Sequence, residues 1–300
     1  MSSIVNAYKF CKDKINSQNS KNDLPYQNGF ENVDGLSCYR NSVLQALFSL
    51  TTLNDYFSEF MNDFEKFHAT AINFDIIYAF GRMIEWNHVT KNKSKKHEIN
   101  NAYRDFSETI WKFEIFTQII RRTEQQDPHE FLLPLLSHFD TAMQNYLRLK
   151  RPESPLEKYP IGKFFTFNLD QIITCPSNHI HSTKRYEVGF TLDLNVQKPI
   201  YLQTILNSYF EDKIINNFHC NICKRINRLS KQRIEVNTTP SAIMIIQLIR
   251  FENDRTKNFD EVSIPLDIIL INTWKYELTA IIFHQGNTIQ SKIRLLLYNY

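Results

Sequence analysis

The hydrophobic pattern changes period part-way along the chain, and that change limits the available folds more than any other feature of the sequence. From Asn41 to Phe60 the apolar residues Leu44, Leu47, Phe48 and Phe57 recur at roughly helical spacing. A second run, QQDPHEFLLPLLSHFDTAM, predicts a helix starting near Asp127. Beyond about residue 150 the pattern shortens. FFTFNLDQIITC, YEVGFTLDLNV, SAIMIIQLIRF, VSIPLDIILI and YELTAIIF are short, rich in β-branched and aromatic residues, and bounded by turn formers. Helices first and strands later predict an α+β fold rather than alternating βαβ units. No linker-like stretch divides the halves, and residues 1–28 are a polar leader ending in a Pro/Asn/Gly cluster.

Composition narrows the partners. The 300 residues are 42% apolar, enough for a sizeable core, and the formal net charge of +3 implies neither a nucleic-acid nor a membrane-surface partner. The densest basic run, KNKSKKH, is short and set among polar residues, as in a solvated loop. The N-terminal MSSIVNAYKFCKDKIN lacks the apolar run of a signal peptide, and AIMIIQLI is too short to span a bilayer. Five irregularly spaced cysteines do not form a disulfide framework. The expectation is a cytoplasmic or nuclear protein, not a secreted one.

One cysteine stands out. In GLSCYRNSVLQALFSL, Cys38 lies three residues before Asn41, where the helical pattern begins, after a turn-forming NVDG. The unpaired N–H groups of a helix start can activate a thiolate and stabilise an oxyanion. Free cysteine is also among the most buried residue types, and on this segment alone a buried thiol is the better reading.

The wider sequence changes that balance. GFENVDGLSCYRNSVLQALFSL resembles the cysteine box of the ubiquitin-specific proteases, Gly-Leu-x-Asn-x-Gly-Asn-Thr-Cys-Tyr-x-Asn-Ser-x-Leu-Gln-x-Leu, with Cys38, Tyr39, Asn41, Ser42, Leu44, Gln45 and Leu47 on it without a gap. EQQDPHEFL resembles the family's Gln-Gln-Asp-Ala-His-Glu-Phe box. PSAIMIIQLIRFE and YELTAIIFHQG resemble its later strands, in family order. The resemblance implies a papain-like cysteine protease fold with a helical thumb over residues 29–150 and β-rich fingers and palm over 151–300, C-terminally truncated. It implies ubiquitin or ubiquitinated proteins as partners and no required cofactor. Cys38 falls on the nucleophile, and Asn32 on the side-chain oxyanion donor, although NVDGLSC holds one residue more than the motif between them. Gln126, Asp127 and Glu130 fall in the box that lines the channel for ubiquitin's basic tail. Asp127, Pro128 and Glu130 also make a complete helix start by themselves, and Pro134 is expected to kink that helix.

Two elements of the family pattern depart. After the HQG turn at His284, the family reads Gly-His-Tyr, whereas this chain has Lys292, Ile293 and Arg294, and Ile293 cannot transfer a proton. The chain stops at Tyr300, before the orienting Asp or Asn. His284 lies nine positions from the expected place and reads as a residue ending a strand. Hydrolysis is therefore expected to be impaired. The alternatives are a ubiquitin-binding pseudoprotease, or a misread C-terminus giving the unfamiliar KIRLLLYNY. The second departure concerns zinc. HCNICKR carries Cys220 and Cys223 at the spacing of half a zinc site. Upstream, CPSNHIH has Cys175, but position 178, where its partner is expected, is Asn178. His179 or His181 can complete a three-Cys, one-His set. A degenerate finger without metal is the preferred of the two readings.

Overall fold

The computed structural model describes residues 30, 32, 35–67, 75–89, 96–153, 155, 160–194, 200–227, 229–236, 241–250, 257–265, 269–271, 274–284 and 293–297. The proposed leader, residues 1–28, lies outside them, as do Gln285, Gly286 and Lys292. The chain forms two compact units. One comprises residues up to Ile161 together with Thr279 onward, and the other comprises Gly162–Leu278. Residues 279–300, read from sequence with the strand-rich half, thus belong with the helices.

In the first unit the described helices are α1 (Cys38–Phe48), α2 (Thr51–Phe67), α3 (Asp75–Val89), α4 (Lys96–Thr109), α5 (Glu114–Ile119) and α6 (Pro128–Lys150). The single apolar run from Asn41 to Phe60 is divided at Ser49, whose hydroxyl donates to the Ala46 carbonyl (2.7 Å), while Asn54 Nδ2 donates to the Phe48 carbonyl (2.6 Å). These bonds satisfy carbonyls that the end of α1 leaves without helical partners. Helix α6 starts as its sequence predicts. The Asp127 carboxylate accepts the His129 N–H at 2.6 Å, Pro128 takes the first position, and Arg148 and Lys150 sit in the last turn, where the helix dipole favours cations. It remains helical through Pro134. The core of this unit is aromatic. Phe48, Phe57, Phe80 and Phe139, from α1, α2, α3 and α6, meet with ring centroids between 4.7 and 5.4 Å, and all are buried.

The strands are β1 (Thr166–Thr174), β2 (Ile180–Val188), β3 (Phe190–Asp193), β4 (Ile200–Tyr201), β5 (Lys213–Ile215), β6 (Phe218–His219), β7 (Ile226–Asn227), β8 (Ser230–Val236), β9 (Ile246–Ile249), β10 (Val262–Ser263), β11 (Ile269–Ile271), β12 (Trp274–Tyr276), β13 (Ala280–His284) and β14 (Ile293–Leu297), with helix α7 (Leu202–Phe210) after β4. In the second unit an antiparallel sheet runs in the order β2-β1-β8-β5. Beside it lie the parallel pairs β3–β9 and β4–β10. Phe167, Leu169, Phe190, Leu192, Leu206 and Ile234 form the centre of its core. Strand β3 alternates inward Phe190 and Leu192 with outward Thr191 and Asp193, as a half-buried strand should. Between β2 and β3, Gly189 has φ +75° and lies against the Ile245 carbonyl, where a β-carbon would come within 2.4 Å of that oxygen. Only glycine fits there. Among the described residues no helix is long and apolar enough to cross a membrane.

The last two strands form an antiparallel hairpin in the first unit, β13 against β14, and that hairpin lies on α1. The helix beginning with Cys38 is therefore held between the helical core on one side and a β-hairpin on another.

Candidate functional site

Cys38 is the first residue of α1 and is half-buried. Ser37 precedes it, and its backbone N–H (3.0 Å) and hydroxyl (2.7 Å) both donate to Asn32 Oδ1. A backbone N–H can only donate, so the amide oxygen must face Ser37 and the Asn32 amide nitrogen, a donor, is turned the other way. Across the stretch that holds the extra residue, Gly35 N–H donates to the Asn32 carbonyl (3.2 Å), with Gly35 at φ +70°. The insertion therefore does not separate Asn32 from the start of α1.

The residues after Cys38 anchor the helix. Tyr39 packs edge-on against Phe131 (5.6 Å), joining the cysteine box to the QQDPHEF box. Asn41 Oδ1 accepts the Tyr103 hydroxyl, and Asn41 Nδ2 reaches the Phe30 carbonyl at 3.5 Å. Phe30 stacks on Tyr103 at 4.6 Å. Arg40 is buried with its guanidinium over Tyr39 and Trp111, and Arg122 also lies over the Trp111 ring. Neither Tyr103 nor Trp111 carried a signal in sequence, because their contacts with α1 join segments far apart in the chain.

Gln126 is half-buried, and Asp127 and Glu130 are exposed on the first turn of α6. Burial, then the neighbouring Asp127 charge, raises the Glu130 carboxyl above its ordinary value. Burial lowers the His129 imidazole, with Asp127 opposing. One Asp127 oxygen serves the helix cap, and the exposed carboxylate retains acceptor capacity for a cation.

At the hairpin, His284 is half-buried at the end of β13, and the register sets it directly opposite Ile293 of β14. The position at which the family pattern carries histidine therefore lies on a strand packed against α1, with Arg294 next along it.

The second unit holds a separate cluster. Sγ of Cys175, Cys220 and Cys223 and a ring nitrogen of His179 all lie within 4.8 Å of one another. His179 Nδ1 is 3.5 Å from Cys175 Sγ and 3.6 Å from Cys220 Sγ. Ligand atoms of a tetrahedral zinc stand about 3.5–3.8 Å apart, given Zn–S of about 2.3 Å and Zn–N of about 2.0 Å. The donor set fits a structural metal, so the half-site expected from CPSNH is a full one.

The local backbone explains why the fourth donor is His179 and not the residue at position 178. In the second loop, Cys220 N–H donates to the Arg225 carbonyl (3.1 Å), Lys224 N–H donates to the Cys220 carbonyl (2.9 Å), and Lys224 is left-handed at φ 57°. In the first, Cys175 N–H donates to the His179 carbonyl (3.0 Å), Asn178 N–H donates to the Cys175 carbonyl (2.8 Å), and Asn178 is left-handed at φ 62°. The two loops match if the first is one residue shorter. Asn178 then corresponds to Lys224, not to Cys223. In this shorter loop the fourth donor is the ring nitrogen of His179.

Comparison with known proteins bears on the family and the fold. A family model described as ubiquitin carboxyl-terminal hydrolase matches residues 28–292. Ubiquitin carboxyl-terminal hydrolase 36 of Drosophila ananassae is 26% identical over 225 residues, covering 72% of this chain and 19% of the relative. Ubiquitin carboxyl-terminal hydrolase 9 of Saccharomyces cerevisiae is 24% identical over 223 residues, covering 62% of this chain and 29% of the relative. The chain thus spans a fifth to under a third of these relatives. Among solved structures, the SAGA Ubp8/Sgf11/Sus1/Sgf73 DUB module bound to ubiquitin aldehyde superposes with a TM-score of 0.70 at 18% identity, over 98% of this chain and 68% of the other. That likeness shows the fold.

Proposed function

The chain belongs to the ubiquitin carboxyl-terminal hydrolase family, and from that premise we propose that it recognises ubiquitin inside the cell and presents Cys38 to the carbonyl of its C-terminal glycine. The observation that carries this reading is the pairing of Cys38, at the start of α1, with Asn32, clamped through Ser37 so that its amide donors face away from the clamp. In the reaction, the Cys38 thiolate adds to the carbonyl carbon and the electron pair moves to the oxygen. N–H groups at the helix start and the Asn32 amide donate to that oxyanion. Gln126, Asp127 and Glu130 receive the basic tail as hydrogen-bond acceptors and, for the carboxylates, as counter-charges.

Collapse of the adduct requires a proton on the leaving amine. At the position where an imidazole supplies it, this chain has Ile293, so turnover is slow while addition to the carbonyl remains possible. The cluster of Cys175, His179, Cys220 and Cys223 would hold a structural zinc. When bound, the ion would supply no step of the hydrolysis; its four ligands would tie the β1–β2 turn to the β6–β7 turn.

Turnover of a fluorogenic ubiquitin C-terminal amide tests this. Ubiquitin should bind, and turnover should lie several orders of magnitude below that of a family member with its histidine. Ready turnover by this chain, abolished in Cys38→Ala, would overturn the impaired-hydrolysis reading. Absence of ubiquitin binding would overturn the whole.

A further inference from the structure

A second imidazole touches the metal-binding thiols, and neither the four-donor cluster nor the hydrolysis uses it. We propose that His181 is an outer-sphere positioning residue of the metal site, donating Nε2–H to the Cys220 thiolate and thereby setting metal affinity. The proposal rests on the reading that the cluster holds zinc.

His181 Nε2 is 3.2 Å from Cys220 Sγ. That is shorter than the ~3.5 Å separating N and S ligands of one tetrahedral ion. It is the distance of a hydrogen bond to the sulfur, and His181 is not among the four donors that close within 4.8 Å. A metal-bound thiolate can only accept, so the proton sits on Nε2. Strand geometry produces the arrangement. His179 lies just before β2 and His181 just inside it, and residues two apart on an extended chain face the same side. His179 turns to the metal position and His181 to the back of one ligand. The edge of the ring packs against Phe218 at 5.1 Å, which fixes its direction.

Charge gives the contact its purpose. Three thiolates and a neutral imidazole around a dication leave a net negative charge, and Cys220 is fully buried, away from water that could disperse it. Cys223 N–H approaches the same sulfur at 3.5 Å. The Ile222 N–H also donates to it, and His181 adds a side-chain donor at 3.2 Å. Outer-sphere donors of this kind typically change metal affinity about 10–100-fold.

The test uses the full chain, stripped and reloaded with Zn(II) or Co(II). Zinc affinity is read by competition with a chromophoric chelator and coordination by the Co(II) absorption bands. His181→Phe, which keeps the aromatic contact with Phe218 but removes the donor, should weaken zinc about 10–100-fold. It should leave one metal per chain and tetrahedral bands intact. His181→Gln, whose amide can still donate, should recover most of the loss. His179→Ala should alter the Co(II) bands. Equal affinity of His181→Phe and the parent chain would overturn the proposal alone. Altered bands in His181→Phe with unchanged bands in His179→Ala would make His181 the ligand and also overturn it. A parent chain that takes up no metal would instead overturn the zinc reading, and this proposal with it.

Discussion

His138, on α6, shows how much one buried polar atom can determine. Its ring packs against Phe113 (4.5 Å) and Phe116 (6.1 Å), its Nε2 has no hydrogen-bond partner among the described residues, and burial lowers its pKa from 6.5 to about 4. Folding therefore favours the neutral ring, and between those two values the unfolded chain binds more protons than the folded one. Stability is full above pH 6.5 and is lost as pH falls towards 4, by up to roughly 3 kcal/mol. Urea unfolding at pH 7 and pH 4.5 checks this, and His138→Phe should flatten the difference. An unchanged slope in that variant would assign the pH dependence to other groups. The same scale shows what sequence could and could not reveal about the candidate site. The placement of Cys38 at a helix start and the capping by Asp127 were legible because both follow from local sequence. The orientation of Asn32 was not, because it depends on Ser37 folding back across a turn, and the family motif made the extra residue look disruptive. His179 was legible only as one of two histidines, since the loop geometry that selects between them is not written in the spacing.

At the scale of elements, apolar windows located strands but not their limits. YEVGFTLDLNV is two strands, because Gly189 turns the chain against the Ile245 carbonyl before β3 begins. Among its described residues, SAIMIIQLIRF contributes Ile246–Ile249 as strand. Strand β8, SKQRIEV, has no apolar run at all; it is a central strand of its sheet, with Ser230 and Ile234 inward and its charged residues exposed or half-buried. Pairing with β1 and β5 makes it a strand, and that information lies in other segments. The Gly189 junction carries a direct test. Gly189→Ala places a methyl into backbone at a φ where L-residues are strained by about 1–2 kcal/mol before any clash. The expected loss is more than about 2 kcal/mol by chemical denaturation, with β3 displaced from β9. A cost under about 0.5 kcal/mol would mean the Ile245 carbonyl yields easily.

For the whole molecule, the decisive feature is that its first unit is discontinuous. The helices run from the N-terminal half to Ile161, the chain then builds the second unit, and only at Thr279 does it return to lay the β13–β14 hairpin on α1. Sequence order hid this, because a strand near the C-terminus reads naturally as part of the strand-rich half. The consequence concerns Cys38. Its helix is packed by Tyr39, Val43, Leu44 and Leu47, all nearly inaccessible to solvent, and part of what covers α1 arrives last in the chain. A chain ending at Leu278 should lose cooperative unfolding of the helical unit, because removing the hairpin exposes apolar surface on α1 at roughly 25 cal/mol per Å². The metal ligands, Cys175, His179, Cys220 and Cys223, all lie within Gly162–Leu278, so metal uptake by the shortened chain should persist. Far-ultraviolet circular dichroism during thermal unfolding reports the first effect, and Co(II) absorption reports the second. Loss of both together would show that the two units fold as one cooperative body. Retention of both would show that α1, and with it the placement of Cys38, does not depend on the returning hairpin.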